Sequence, residues 1–440
     1  MLSLGLLLIA LLTLSCLSTV IFKQQNQVLA QSYVQTIKYR NLVIDLGNGV
    51  KTNAQLTYPA VGKGPFPGVL LIPGAGAADM NYSGGFTHID KETDSKIYPP
   101  SAFFQIAKYL SERGFVVLRY DKRGVGTNLT LLDSNVWGNT TFNDLKQDAE
   151  KALSVLLQQP EVNATKKATL IGHSEGTVVA TRMAIDNPDK VKNIVLMGAI
   201  ALNIIKDNFY YAGVFLPISY AQNVLDKNHT GLLLVNEALK DPVFLSFANY
   251  IGNARMLDNP LPSILNPKNN SDEDSAYISI NNELKPALVR QFEEYIKELN
   301  ANQSSSPIFH KKCDLGSSCP IWARSQLTLP TNLGVIGNVS SNIGILILEG
   351  EYDAVQQAFL LQQRLSELNH PDHLLITYPN LGHGLYISNQ WLSTQPQPIP
   401  QYVLADLYSW LEAHSGLSHP YIATPTSTLA ANAYTSSSSK

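Results

Sequence analysis

Ser174 sits in Gly172-His173-Ser174-Glu175-Gly176, directly after the apolar run Ala168-Thr169-Leu170-Ile171 and before a helical pattern. Glycines on both sides of the serine let a strand turn sharply into a helix, which lifts the hydroxyl above the helix N-terminus. A serine hydroxyl is a weak nucleophile until a base takes its proton and an acid orients that base. Two later loops offer those partners. Asp353 closes Leu348-Glu349-Gly350-Glu351-Tyr352-Asp353 and is the expected acid, with Glu351 and Glu349 as rivals. Its competing reading is an N-cap before Ala354. His383, in Leu381-Gly382-His383-Gly384, is the expected base. Acyl transfer also needs N–H donors for a developing oxyanion, each worth about 2.7–4 kcal/mol of transition-state stabilisation. The amide of Glu175 is one expected donor. The second is expected from Pro73-Gly74-Ala75-Gly76-Ala77-Ala78-Asp79, with Ala75 preferred to Gly76. That loop carries neither Gly-x-Gly-x-x-Gly nor a Gly-Lys-Ser/Thr ending, so nucleotide binding is not expected. His173 is expected to point away from the site, and His310, His370 and His373 have no motif around them.

These groups meet only if the chain positions their loops on one edge. Residues 34–44 and 50–58 alternate as strands around the turn Leu46-Gly47-Asn48-Gly49. From residue 68 onward, short apolar runs alternate with amphipathic patterns. Strands are expected at 68–72, 115–120, 168–171, 193–197, 343–348 and 373–378. Helices are expected at 101–113, 143–159, 176–186, 354–368 and 402–414. That rhythm implies an α/β fold, with a mostly parallel sheet covered by helices on both faces and an antiparallel N-terminal edge. Strands that all run one way deliver Ser174, Asp353 and His383 to the same edge. The rhythm breaks between residues 201 and 340, a stretch rich in Asn, Pro and aromatics with one helix expected at 284–299. It is too long for a structureless loop and is read as an inserted cap or lid. The expected organisation is a leader at 1–30, core at 31–200, cap at 201–340, core again at 341–415 and a disordered Ser/Thr/Ala-rich tail at 416–440.

With 440 residues, 45% of them hydrophobic, the chain can bury a large core. A net charge of −3 with no basic face gives a nucleic-acid partner no electrostatic support. Residues 1–22 carry no charged side chain and suit either a signal peptide or a membrane anchor, with Val28-Leu29-Ala30 as a cleavage site. Lys23, Lys38 and Arg40 follow that run rather than precede it, which for an uncleaved anchor favours the opposite orientation. Beyond Cys16, the two remaining cysteines, Cys313 and Cys319, are spaced for a small loop that can close in an oxidising compartment. Sequons at Asn81, Asn128, Asn139, Asn163, Asn228, Asn269, Asn302 and Asn338 are usable outside the cytoplasm. Export, as a secreted or membrane-anchored protein, is the expectation.

Three blocks carry a resemblance: Pro73-Gly74-Ala75-Gly76 with Asp79, Leu118-Arg119-Tyr120-Asp121-Lys122-Arg123-Gly124-Val125-Gly126, and Leu170-Ile171-Gly172-His173-Ser174-Glu175-Gly176. With the acid and base blocks, they make the chain resemble the α/β-hydrolase superfamily, in its serine carboxylesterase-like branch. The likeness covers residues 34–414 without the insertion. Pro73 stands where the family often has a histidine, and the insertion at 201–340 departs from the family pattern. The resemblance implies hydrolysis of carboxylic esters through an acyl-serine intermediate, on a small ester with an apolar acyl or aryl group, without metal or organic cofactor. Peptidase, amidase or acyltransferase chemistry on the same triad is the alternative, as is a non-catalytic surface protein on a hydrolase scaffold. Asp121 and Arg123 are expected to pair and hold a loop.

Overall fold

The computed structural model describes residues 36–415 apart from 84–87, 90–95, 98–100, 164, 166, 267–275, 314–318, 354–356 and 389–397. The leader at 1–30 and the tail at 416–440 lie outside the described residues, as do Asn269 and Ala354.

The chain opens with β1 (Ile37–Gly47) and β2 (Val50–Pro59), an antiparallel hairpin. Its two-residue turn is Asn48-Gly49, both at positive φ (53° and 79°), the backbone that matches the right-handed twist of the strands it joins. Then follow β3 (Gly68–Ile72), α1 (Ala102–Ser111), β4 (Val116–Tyr120), α2 (Phe142–Leu157), β5 (Ala168–His173), α3 (Glu175–Asp186) and β6 (Val191–Met197). After the long segment discussed below come β7 (Gly344–Gly350), α6 (Ala358–Glu367), β8 (His373–Tyr378) and α7 (Gln401–Ser415); α4 and α5 belong to that segment. The eight strands form one sheet in the order β1-β2-β4-β3-β5-β6-β7-β8. The β1–β2 and β2–β4 pairs are antiparallel and the other five are parallel.

Strand alternation sorts the sheet's aliphatics onto two faces. Val69, Leu71, Val117, Ile171 and Leu346 meet α1 and α7, through Phe103, Ile106, Leu110, Leu404 and Leu407. Leu70, Ile72, Leu118, Leu170 and Ile345 meet α2, α3 and α6, through Leu153, Leu156, Val179, Met183 and Leu361. Because both faces are covered, β3, β5 and β7 are buried along their whole length. β3 and β8 have the expected boundaries, and the other strand and helix ends lie within four residues of the sequence expectations, at the positions where hydrogen-bond ladders fray.

Between β6 and β7 the chain makes π-helical turns, short helices, a two-stranded ribbon (Leu232–Leu234 with Tyr277–Ser279), α4 (Lys285–Asn300) and α5 (Pro320–Leu327). Its buried side chains, among them Phe209, Phe244, Tyr295 and Trp322, join the core under α2 and α3. Cys313 and Cys319 are disulfide-bonded, which ties the chain immediately before α5. Among the described residues, no helix is long and apolar enough to cross a membrane.

Candidate active site

The sheet is parallel from β4 onward, so the loops after β3, β5, β7 and β8 leave at one edge. After β5, Ser174 takes φ 54° and ψ −121°, a left-handed backbone that a non-glycine residue adopts only under constraint. The flanking glycines make the bend possible. A Cβ on Gly172 would lie 2.2 Å from the Gly176 carbonyl oxygen, and one on Gly176 would lie 2.2 Å from that of Ile72. Ser174 N–H donates to Met197 O at 3.0 Å, which ties the bend to the end of β6.

Asp353, fully buried after β7, accepts from His383 Nδ1 at 2.8 Å. Of the three acidic candidates, Asp353 is the one hydrogen-bonded to His383. Glu351 accepts instead from the Asn380 amide at 3.1 Å, on the surface. Glu349 is buried and accepts from the Ala199 amide at 3.2 Å. Burial, and then the nearby Asp353 charge, push its carboxyl up to about 8, so it stays protonated at neutral pH. For His383, burial works to lower the imidazole's pKa, but the Asp353 carboxylate outweighs it and the net shift is upward. The ring keeps 34% of its surface exposed, so solvent moderates both effects. The Asp353 bond occupies Nδ1 and leaves Nε2 as the ring's other nitrogen.

His173 does not point away from the site. Its Nε2 lies 2.9 Å from the His383 carbonyl oxygen and its Nδ1 lies 2.9 Å from the Tyr82 hydroxyl. A carbonyl can only accept, so Nε2 carries the proton and Nδ1 accepts from Tyr82. The Tyr82 oxygen takes the Gly74 amide in turn. Burial, with the His383 ring beside it, holds His173 down to about 3, so it stays neutral. One relay thus joins the loop after β3, the serine bend and the histidine loop. The sequence expectation for His173 missed this because the ring's partners, Tyr82 and the His383 carbonyl, lie 91 and 210 residues away.

The loop after β3 lies against the bend, since a Cβ on Gly74 would sit 2.9 Å from Ser174 Cβ. Lys122, after β4, donates to the carbonyls of Gly74 and Gly76 and to Glu175 Oε2, 3.1 Å and 3.2 Å for the latter two. Glu175 Oε1 accepts from Trp322 Nε1 at 2.5 Å and Gln326 Nε2 at 2.6 Å. Asp121 and Arg123 do not pair. Arg123 makes a two-pronged contact with Asp148 on α2 (2.7 and 2.6 Å) and reaches Asp144 at 3.1 Å. Asp121 accepts from the Met80 amide at 2.6 Å, and burial pushes it up to about 6. Two carboxylates one helical turn apart suit a planar guanidinium better than a single loop aspartate does.

The strand order, with a serine bend after β5, an aspartate after β7 and a histidine after β8, meets a family match at this point. The model for "Serine aminopeptidase, S33" matches residues 101–241. The chain resembles the α/β-hydrolase superfamily in this matched region and in its strand order. The chain is 28% identical over 179 residues to Esterase EstD of Thermotoga maritima, covering 39% of this chain and 38% of that one. It is 31% identical over 90 residues to a putative carbamate hydrolase, RutD, of Variovorax paradoxus, covering 20% of this chain and 30% of that one. The matched region thus spans well under half the length of either curated relative. Among solved structures, it aligns with a carboxyl esterase from Bacillus coagulans at 16% identity and TM-score 0.47, covering 86% and 98% of the two chains. Lys122, Tyr82, Trp322 and Gln326 were not expected from the sequence as part of the site. Lys122 lies in the Leu118–Gly126 block that carries the family resemblance, but nothing local distinguishes a buried lysine from a surface one.

Proposed function

We propose that this hydrolase cleaves carboxylic esters through an acyl-serine intermediate formed on Ser174. The observation that carries the reading is the 2.8 Å bond from His383 Nδ1 to the fully buried Asp353, at the sheet edge that also holds the Ser174 bend. His383 Nε2 takes the Ser174 proton as Oγ attacks the ester carbonyl carbon. The amides of Glu175 and Ala75 hold the oxyanion, and the imidazolium then protonates the departing alcohol. Water, activated by the same nitrogen, releases the acid and restores the serine. The esterase relative supports the ester class. The substrate is a small ester with an apolar acyl or aryl group, in keeping with the aromatic residues between β6 and β7.

The test is turnover of p-nitrophenyl acetate, butyrate and longer esters, with a fluorophosphonate as covalent label. Ser174→Ala should lower kcat by about 10⁴–10⁶-fold and abolish labelling. Unchanged turnover in that variant would sink the assignment. The serine aminopeptidase description of the matching family favours a second reading, amide hydrolysis. Aminoacyl p-nitroanilides cleaved faster than the esters would establish it.

The proposal extends to localisation outside the cytoplasm, secreted or membrane-anchored. The uncharged residues 1–22 and the Cys313–Cys319 disulfide support it. Fractionation of the producing cells with the full chain checks this, and recovery solely in the cytoplasm overturns it.

A further inference from the structure

The side chain of Glu175 performs no step in the reaction just described, and neither does Lys122. Both are nonetheless almost completely buried, at 1% and 4% exposure, next to the nucleophile. An ion pair in that position is costly unless every donor and acceptor is used. Here they are. The ammonium has three N–H donors and three acceptors: Gly74 O, Gly76 O and Glu175 Oε2. The carboxylate's other oxygen takes the Trp322 indole and the Gln326 amide, both from α5.

The peptide bond is planar and trans, so a carbonyl and the N–H of the next residue point in opposite directions. Lys122, by drawing the Gly74 carbonyl towards itself, therefore aims the Ala75 N–H away from itself. That loop is packed on Ser174. The same lysine is fixed by the side chain whose own backbone N–H is the other expected oxyanion donor. α5 in turn is held independently of the ion pair. Ser325 Oγ accepts from the Phe142 amide at 2.8 Å, Asn203 donates to the Gln326 carbonyl at 2.8 Å, and the disulfide ends at the residue before α5.

We infer that Lys122 and Glu175 are positioning residues that make the oxyanion site depend on the docking of α5: Lys122 orients the peptide carrying the Ala75 N–H, and Glu175 ties Lys122 to Trp322 and Gln326. The segment between β6 and β7 is then a working part of the catalytic geometry as well as a covering. This inference rests on the serine-hydrolase reading above.

The experiment compares the full chain with Lys122→Met, Glu175→Gln, Trp322→Phe and Arg255→Gln. It measures ester kcat per titrated active site, KM, the pH profile and Tm. Loss of a whole oxyanion donor costs about 10²–10³-fold in kcat. Misalignment of one should cost about 10–100-fold in Lys122→Met and Glu175→Gln, and about fivefold or more in Trp322→Phe. KM should stay within about threefold, and the midpoint of the kcat/KM–pH profile should not move, because the His383–Asp353 pair is untouched. Arg255 pairs with Glu294 and Glu298 on α4. Its substitution should lower Tm while leaving kcat within about twofold, which separates loss of stability from loss of alignment. Trp322→Phe removes one donor and keeps the aromatic bulk, so it serves where the charge variants fail to fold. Trp322→Phe and every folded charge variant with kcat within twofold of the parent would overturn the coupling while leaving the hydrolase intact. A parent chain that neither turns over nor labels at Ser174 would overturn the hydrolase reading, and the coupling with it.

Discussion

β3, β5 and β7 are held by parallel ladders between aliphatic faces, and every residue in them is buried. The segment between β6 and β7 is held differently. Phe209 packs against Tyr250, Tyr295 and Trp322, with ring centroids 5.1 to 6.2 Å apart. Asn203 caps its own helical turn through Ile205 and Lys206 and reaches Gln326 and Leu329. Gln357, between β7 and α6, accepts from Ala201 and Leu202 and donates to Asn208. The sheet gains its order from a repeating backbone pattern that tolerates exchange of one aliphatic for another. The segment relies on individual polar and aromatic contacts, each specific to one pair of residues. Chemistry is therefore expected to fail when the loops at the sheet edge change, and stability and alignment when the segment changes.

The largest effect that tests this contrast belongs to Asp353→Asn. An amide there favours the wrong imidazole tautomer and should lower kcat by about 10⁴-fold with little change in Tm. The proposed mechanism uses neutral His383 as base, and its pKa is raised above the ordinary 6.5, so kcat/KM of the parent should rise with pH through a midpoint above that value. In Asp353→Asn the midpoint should fall. A large drop in Tm instead would mean that the pair holds the fold and not the base alone.

Phe209→Ala is the corresponding change in the segment, expected to cost about 3–5 kcal/mol in urea unfolding. The buried side chains of the segment and those under α2 and α3 form one continuous core. Hydrogen exchange decides whether the two regions also unfold together. Amides of α4 losing protection while those of β5 keep theirs would sharpen the contrast, and equal loss would break it.

The smallest effect is expected at Glu349→Gln. In the folded chain Glu349 keeps its proton up to about pH 8, whereas 4.5 is its ordinary value. Between those values the folded state binds more protons than the unfolded one, so stability falls as pH rises. The variant cannot ionise and should be more stable than the parent by about 1–3 kcal/mol at pH 9, with no such gain at pH 4. An equal difference at both pH values would show that shape, not charge, matters there.

Much of the sheet could be read in the chain because its signals are local and periodic. Asn48-Gly49 names its turn, Gly172 and Gly176 frame the bend, and Pro160 stops the pattern that becomes α2. Ser174, Asp353 and His383 could be nominated because strands of one direction deliver their following loops to one edge. Asp121, Arg123 and His173 were misread for the opposite reason: their partners, Met80, Asp148 and Tyr82, are 25 to 91 residues away. Between residues 201 and 340, α4 was visible from its period, but the π-helical turns that precede it follow no single repeat.

The sequence by itself determined the alternation of strands and helices, the bend at Ser174 and the candidates for acid and base, since each depends on a residue's near neighbours and on the backbone they permit. Only the tertiary structure decided that Asp353, and neither Glu349 nor Glu351, holds His383, and that a lysine and a glutamate beside the serine are locked to α5. Those choices depend on which groups lose water together, and desolvation is a property of the packed molecule that no stretch of chain carries alone.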